Sequence, residues 1–390
     1  MVDSLRAAVV GTGLIGGSIL LRLRERGVDV AGWDPDAATR AEGRARGVAF
    51  PDALADAVRD RDVVFLCGPL SSLPETLRTV SGLTGPDCVL TDVGSTKGGI
   101  AAYAAAHGLT GRFVPGHPMA GTERAGLTAA SPALFDGAAW VLCPTAAGLD
   151  RFRALAALLV GVFGARIVPL DPDAHDAAAA LASHLPHLLA GVLAATVAEA
   201  DLRDAALGLA AGSFRDGTRV VGTPAARTVD ILLNNRDQVL AQLDRVRGLL
   251  DRYATALRGG DAAALAGLQQ RARGLRLALL DRELPAAAPR AFPRALPHGL
   301  PPALPRALPH DLPHDAEPAD AEPADAEPAD AEPADAEPAD AEPADAADGE
   351  LAYLLSLGAA GGYLTGCVVT DATVTYTAHL PAAHLPAAPG

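Results

Sequence analysis

Val9-Val10-Gly11-Thr12-Gly13-Leu14-Ile15-Gly16-Gly17-Ser18 sets Gly-x-Gly-x-x-Gly directly behind the apolar run Ala7–Val10 and at the head of a helical stretch, Gly17–Arg26. In that context each glycine has its own task. Gly11 permits a tight turn, Gly13 lets the backbone approach a pyrophosphate, and Gly16 lets the helix pack on the strand. Thr12, Leu14 and Ile15 complete the turn, and the amides and dipole of the helix start supply positive potential for the phosphates. Asp34 ends the next apolar run, Val28–Trp33, where a carboxylate binds both hydroxyls of an adenosine ribose. NAD is therefore expected over NADP, with Asp36 adding to the repulsion of a 2′-phosphate and Arg40 within reach of the same region. The rival readings of this turn are a flavin site or no ligand at all.

Outward from the turn, apolar runs alternate with helical stretches: Asp62–Cys67, Cys88–Asp92, Arg112–Gly116, Ala139–Cys143 and Ala165–Leu170, separated by Ala37–Arg46, Leu73–Val80 and Lys97–His107. This alternation predicts an α/β unit, a Rossmann-type doubly wound sheet over residues 1–170. From 171 to 283 the strand signal gives way to long Ala/Leu-rich segments, which predict an all-helical substrate and dimerisation domain; wide apolar faces such as Asp173–Ala200 and Val239–Leu257 call for a second subunit. Residues 284–347, rich in Pro and Ala, predict a disordered low-complexity linker. In 348–390, a helix over Glu350–Gly358 and one strand over Val368–Thr377 are expected. Deletion of Leu284–Gly390 is then expected to preserve catalysis.

The chain of 390 residues carries a formal charge of −15, but six copies of Ala-Glu-Pro-Ala-Asp from Ala316 to Asp345 hold twelve of those charges, leaving −3 elsewhere. Acidity thus describes one segment, and neither nucleic acid nor an acidic membrane is an expected partner. No signal-like start and no uninterrupted apolar span point to a soluble, cytoplasmic protein. Cys67, Cys88, Cys143 and Cys367 are dispersed and read as reduced thiols; Lys97 is the sole lysine.

Four further segments carry chemistry. Gly94-Ser95-Thr96-Lys97-Gly98 follows a strand at the carboxyl edge of the sheet, where Ser95 can face a nicotinamide or cap the next helix. Gly116-His117-Pro118-Met119-Ala120-Gly121-Thr122-Glu123 presents a histidine at a strand end, and its proton affinity suits exchange with a hydroxyl near neutral pH. Ser183-His184-Leu185-Pro186-His187 puts two imidazoles on one helix face, with a kink expected at Pro186; no carboxylate or cysteine accompanies them, so no metal is expected. Phe214-Arg215-Asp216-Gly217-Thr218-Arg219 holds arginines of the kind that grip a carboxylate.

Together with the glycine turn, these segments resemble the prephenate/arogenate dehydrogenase family of tyrosine biosynthesis, over residues 7 to about 283; the His-Pro-Met-Ala-Gly-Thr-Glu string is the most specific part. The resemblance implies NAD-dependent oxidative decarboxylation of prephenate to 4-hydroxyphenylpyruvate, with arogenate or 4-amino-4-deoxyprephenate as alternative substrates. It implies His117 as the base at the ring hydroxyl and Ser95 as its orienting partner. Arg219 would anchor the substrate carboxylate, with His187, Gly212, Glu123 and Asp216 lining the pocket. Where many members continue with Ser-Asp-Pro and an aromatic or Met, this chain has Gly222-Thr223-Pro224-Ala225-Ala226-Arg227, a departure at the wall that sees the substrate. The C-terminal segment also resembles the first half of an ACT-type regulatory module; the other reading is a tail. Two rival functions are a β-hydroxyacid dehydrogenase, which needs a lysine in its helical domain, and a non-catalytic dinucleotide sensor.

Overall fold

The computed structural model describes residues 5–122, 124–280, 287–293 and 343–380. Arg6–Val10 (β1), Asp29–Trp33 (β2), Val63–Leu66 (β3), Val89–Asp92 (β4) and Phe113–Val114 (β5) form a parallel sheet in the order β2-β1-β3-β4-β5. Helices cover both faces, Leu14–Glu25 burying Ile19, Leu20 and Leu23 on one side, Leu73–Leu83 and Gly98–Ala106 burying Leu77, Val80 and Ile100 on the other. Burial on both faces is why β3 is four consecutive apolar residues rather than an alternating strand. The strand order reverses between β1 and β3, so the carboxyl ends of these two strands open the ligand crevice.

The apolar run Arg112–Gly116 does not form one strand. Pro115 has no N–H to extend the ladder, and beyond it Gly116–Pro118 (β6) joins a second sheet, antiparallel to Ala139–Leu142 (β7), which runs parallel to Arg166–Pro169 (β8). Helix Leu149–Phe163 lies among the buried residues shared by the two sheets and ends on Gly164, whose φ of 61° is a left-handed cap.

This second sheet is completed from the far end of the sequence, against the expected separation of residues 284–390. Ala287–Pro293 (β9) is a strand inside the predicted linker, Pro343–Ala359 is a helix that begins inside it, and Tyr363–Val369 (β10) and Thr373–His379 (β11) form a hairpin where one strand was expected. The sheet runs β6-β7-β8-β10-β11-β9. β9 pairs along its whole length with β11, from Ala287 opposite His379 to Pro293 opposite Thr373. Its prolines are tolerated because it is an edge strand, with one side free of any ladder. In the hairpin, Thr370 N–H donates to Thr373 O at 2.8 Å, turning the chain within what reads as continuous alternation. With β11 between β9 and β10, strand–helix–strand–strand is a split βαβ arrangement, the first four elements of a six-element ferredoxin-like pattern. The remaining linker residues, 284–286 and 294–342, and the terminal repeats, 381–390, lie outside the described residues.

A buried ionic network fastens this segment to the first domain. Arg153, on helix Leu149–Phe163, donates from Nε to Glu350 Oε1 at 2.9 Å and from Nη2 to Glu350 Oε2, while Tyr376 O–H donates to Glu350 Oε1 at 2.7 Å. Glu350 and Tyr376 are fully buried and Arg153 nearly so. Leu354, Leu357, Leu364 and Val374 extend the same apolar core.

The second domain is helical, as expected. Its first helix runs Pro172–Ala198, with a π-turn at Ala180–His184 immediately ahead of Pro186, which relaxes the backbone where the proline removes a donor. By length and mean hydropathy, 1.5, this helix matches a membrane span, yet its Asp176 carboxylate is spent on the amides of the first domain. Ala225–Asn234, Arg236–Arg258 and Ala262–Leu280 follow. Leu209, Leu250, Leu257 and Leu275 are exposed, an apolar surface too extensive for a solvent-facing domain.

Candidate active site

At the glycine turn the backbone confirms the steric reasons for glycine. Gly11 has φ +91°, and a Cβ there would lie 2.8 Å from the Cys67 carbonyl carbon, across the β1–β3 crevice; a Cβ on Gly16 would lie 2.0 Å from Gly11 O. Around Gly13, by contrast, a Cβ would meet nothing within 4 Å: this side of the turn is open. No side-chain cap takes the first-turn amides of helix Leu14–Glu25, which leaves Leu14 and Ile15 at the mouth of an anion site. Asp34 Oδ2 accepts from Thr12 N–H at 2.8 Å, locking the acidic strand end to the turn. Asp36 is instead the N-cap of helix Ala37–Ala45, and Arg40 donates to the main-chain oxygens of Asp34 at 2.7 Å and Pro35 at 3.1 Å. The chain's own turn thus fits a dinucleotide, with a carboxylate at its ribose end.

His117, on β6, is held by two residues the sequence did not single out. Its Nδ1 lies 2.9 Å from His175 Nε2, and His175 Nδ1 lies 2.8 Å from Asp176 Oδ1. In the tautomer with His175 Nδ1–H donating to the carboxylate and its Nε2 bare, His175 accepts from His117 Nδ1–H. His117 Nε2 is left as an unprotonated acceptor. Burial, then the neighbouring His175, Lys97, His184 and Arg227, hold this imidazole well below its usual pKa and keep it neutral near pH 7.

Asp176 also joins the domains. Its Oδ1 accepts from Lys97 N–H at 2.7 Å and its Oδ2 from Gly98 N–H at 2.8 Å, so a carboxylate from the helical domain caps helix Gly98–Ala106. Although burial pushes its pKa up, the hydrogen bonds from His175 and these two amides outweigh that, and Asp176 stays ionised. The cap reading of Ser95 is thereby displaced: no side chain of the local sequence caps this helix, and Ser95 stands half-buried in the loop ahead of it. Below that loop the lone lysine is wholly buried, its Nζ donating to Asp92 and to Gly116 O at 2.7 Å, while Asp92 also accepts from Gly94 and Gly116 N–H. The Ser95 loop and the His117 strand are one unit because of this pair.

Asn235 Nδ2 donates to Asp176 O at 2.7 Å and lies 3.0 Å from His184 Nδ1, fixing the inner of the two helix imidazoles; burial lowers the His184 pKa to about 4. His187 is half-buried, its Nδ1 2.9 Å from Ser183 O. Gly212, Asp216 and Arg219 are exposed on helix Gly212–Thr218 and the turn after it. Glu123 lies outside the described residues. Among the strongest influences on His117 is Arg227, whose Nη2 lies 3.6 Å from where a Gly121 Cβ would stand.

Residues 19–169 match the family model of the prephenate dehydrogenase nucleotide-binding domain, and residues 171–270 that of the prephenate dehydrogenase dimerization domain. A cyclohexadienyl dehydrogenase from Zymomonas mobilis is 32% identical over 278 residues, 70% of this chain and 95% of the relative. The chain belongs to the prephenate/arogenate dehydrogenase family. Solved structures of that family superpose on it. A Synechocystis arogenate dehydrogenase gives a TM-score of 0.63 at 30% identity, covering 70% of this chain and 99% of that one. A prephenate dehydrogenase of A. aeolicus, in complex with hydroxyphenyl propionate and NAD+, gives 0.65 at 25%, covering 71% and 99%. As in the family, a dinucleotide-binding domain precedes a dimerization domain, and the chain is a dehydrogenase by kinship.

Proposed function

We propose that this chain is an NAD-dependent prephenate dehydrogenase that converts prephenate to 4-hydroxyphenylpyruvate and CO2 in tyrosine biosynthesis. The observation that carries the reading is the Asp176–His175–His117 chain, which leaves His117 Nε2 as an acceptor on the strand tied by Lys97 and Asp92 to the Ser95 loop. Asp34 at the ribose end supports NAD, because Arg40 is already engaged by main-chain oxygens and offers little to a 2′-phosphate.

Held by the Gly11–Gly16 turn and Asp34, the dinucleotide would supply the hydride acceptor for C4 of the cyclohexadienol ring. His117 Nε2 takes the C4 hydroxyl proton as the carbonyl forms, and Asp176, through His175, stabilises the imidazolium. Cleavage of the bond to the ring carboxylate then releases CO2 and returns its electron pair to the ring. The oxygen regains the proton from His117 as the phenol is completed. Aromatisation drives the sequence, so the residues need only fix geometry and manage one proton. Ser95 sits in the loop tied to the His117 strand by Lys97 and Asp92, a placement that suits orientation of ring and cofactor. In this reading Arg219, His187, Gly212, Asp216 and Glu123 complete the pocket, and the exposed leucines of the helical domain form a homodimer interface in a soluble, cytoplasmic enzyme.

The test is NADH formation at 340 nm with prephenate and with arogenate, for the wild type and for His117→Asn. Turnover by the wild type, lost by at least about a hundredfold in kcat in the variant, is expected. NAD binding without turnover of either compound refutes the reading.

A further inference from the structure

Arg227 stands in the first turn of helix Ala225–Asn234, which packs against the Leu70–Ser72 turn of the dinucleotide domain and so reaches across the interdomain crevice. Its guanidinium occupies the space beside Gly121, in the loop that follows His117, and its charge is felt at His117. Among the described residues it makes no hydrogen bond or ion pair, whereas Arg22, Arg44, Arg46, Arg78, Arg151 and Arg153 each hold a carboxylate. This exposed guanidinium, beside the loop that follows His117 and without an acceptor of its own, is available to an anion. The helix start beside it adds to this, since Pro224 caps it with no side-chain acceptor for the first amides.

The geometry of the substrate says which anion. In a cyclohexadienol of this class, the hydroxyl that meets His117 is at C4, and the ring carboxylate and the three-carbon side chain are both on C1, at the opposite end. A cation at the mouth therefore meets the C1 substituents. We propose that Arg227 binds the side-chain carboxylate and is the residue that selects a keto-acid side chain over its amino-acid counterpart. This rests on the function proposed above. A 2-oxo acid offers the guanidinium a carboxylate and a neighbouring carbonyl oxygen, both acceptors. An amino acid puts an ammonium beside the same carboxylate, within the reach of the fork, and the two cations repel.

Steady-state kinetics of the homogeneous full-length enzyme on prephenate and arogenate, with saturating NAD+, decide the matter for wild type, Arg227→Leu and Arg227→Lys. The wild type is expected to prefer prephenate. Losing one charge-assisted contact corresponds to roughly 10- to 100-fold, so Arg227→Leu is expected to lower kcat/KM for prephenate by that factor through KM. The loss with arogenate is expected to be under about threefold, and Arg227→Lys to restore part of the preference. A second readout is independent of affinity. With the Arg227 charge gone, and His175, Lys97 and His184 still facing His117, the acid limb of kcat/KM moves to higher pH in Arg227→Leu but not in Arg227→Lys. A wild type that prefers arogenate, or a leucine variant that loses both substrates equally or neither, overturns the assignment. Turnover of neither compound by the wild type overturns the function on which it rests.

Discussion

Glu350→Ala removes the carboxylate on which the C-terminal segment is fastened. In the native protein Glu350 is fully buried and accepts two hydrogen bonds from Arg153 and one from Tyr376. Taking away one partner of a buried ion pair costs about 3–5 kcal/mol. The lower end applies, because Arg153 Nη1 keeps its bond to Asp150 at 2.6 Å. The stranded Tyr376 hydroxyl, in a site where burial already pushes its pKa well up, adds about 1 kcal/mol or more. A loss of about 4 kcal/mol is therefore expected for Glu350→Ala, and about 2 for Glu350→Gln, which keeps the shape and one acceptor. Replacing both charges, Arg153→Met with Glu350→Leu, should recover most of the loss, since a packed apolar pair needs no desolvation. Urea unfolding followed by tryptophan fluorescence, from Trp140 buried in the second sheet and Trp33 at the end of β2, reads the effect as a shift in midpoint at constant slope. A change under about 1 kcal/mol in Glu350→Ala, or a double variant no more stable than the single one, would refute the idea that this network holds the segment in place.

Truncation after Leu280 strips the second sheet of β9, β10 and β11 and strands Arg153, so insoluble or unfolded protein is expected, contrary to what the proline-rich composition suggests; full activity of the shortened enzyme would overturn this. His175→Gln should lower kcat by roughly 10- to 100-fold with little change in KM and alter the acid limb of the pH profile, because His117 loses the acceptor that sets its tautomer. A purely structural His175 would change stability and leave that limb alone. Acid stability follows from His184. Its folded pKa, about 4, lies below the ordinary 6.5, so the unfolded chain takes up the proton first and stability falls as pH drops from 6.5 towards 4. The contribution is at most about 3 kcal/mol. Urea midpoints at pH 7 and pH 5 should differ less in His184→Gln than in the wild type.

What was legible in the sequence is what is local. The glycine turn, its strand and helix, and Asp34 lie within some thirty residues, and steric demands at Gly11 and Gly16 leave no substitute for glycine there. His117 was legible because it ends a strand at the ligand edge. Its partners were not: His175 and Asp176 sit 58 and 59 positions further on, at a helix start marked by Asp171-Pro172, and nothing in an adjacent His-Asp pair says which loop it will face. β9 was hidden because proline is read as a strand breaker, which holds for a central strand but not for an edge. The β10–β11 turn lacks the Asn-Gly or Asp-Gly that marks a hairpin, so two strands merged into one alternating run. Of the two arginines near the departing segment, the nearer to the chemistry is decided by helix Ala225–Asn234 leaning on the first domain, a tertiary fact without a local signature.

The split arrangement of β9, β10 and β11 changes the topological status of the acidic repeats. They lie between strands of one sheet, β9 before and the β10–β11 hairpin after, with helix Pro343–Ala359 starting inside the last repeat. A polypeptide cut between Pro293 and Pro343 would yield two chains whose mutual attachment survives the cut, held by the seven register pairs of β9 with β11 and by the Arg153–Glu350 bond. The protein is thus a natural candidate for fragment complementation: residues 1–293 and 343–390, co-expressed as two chains, carry between them every described element of the fold, and each holds strands that the other's sheet lacks.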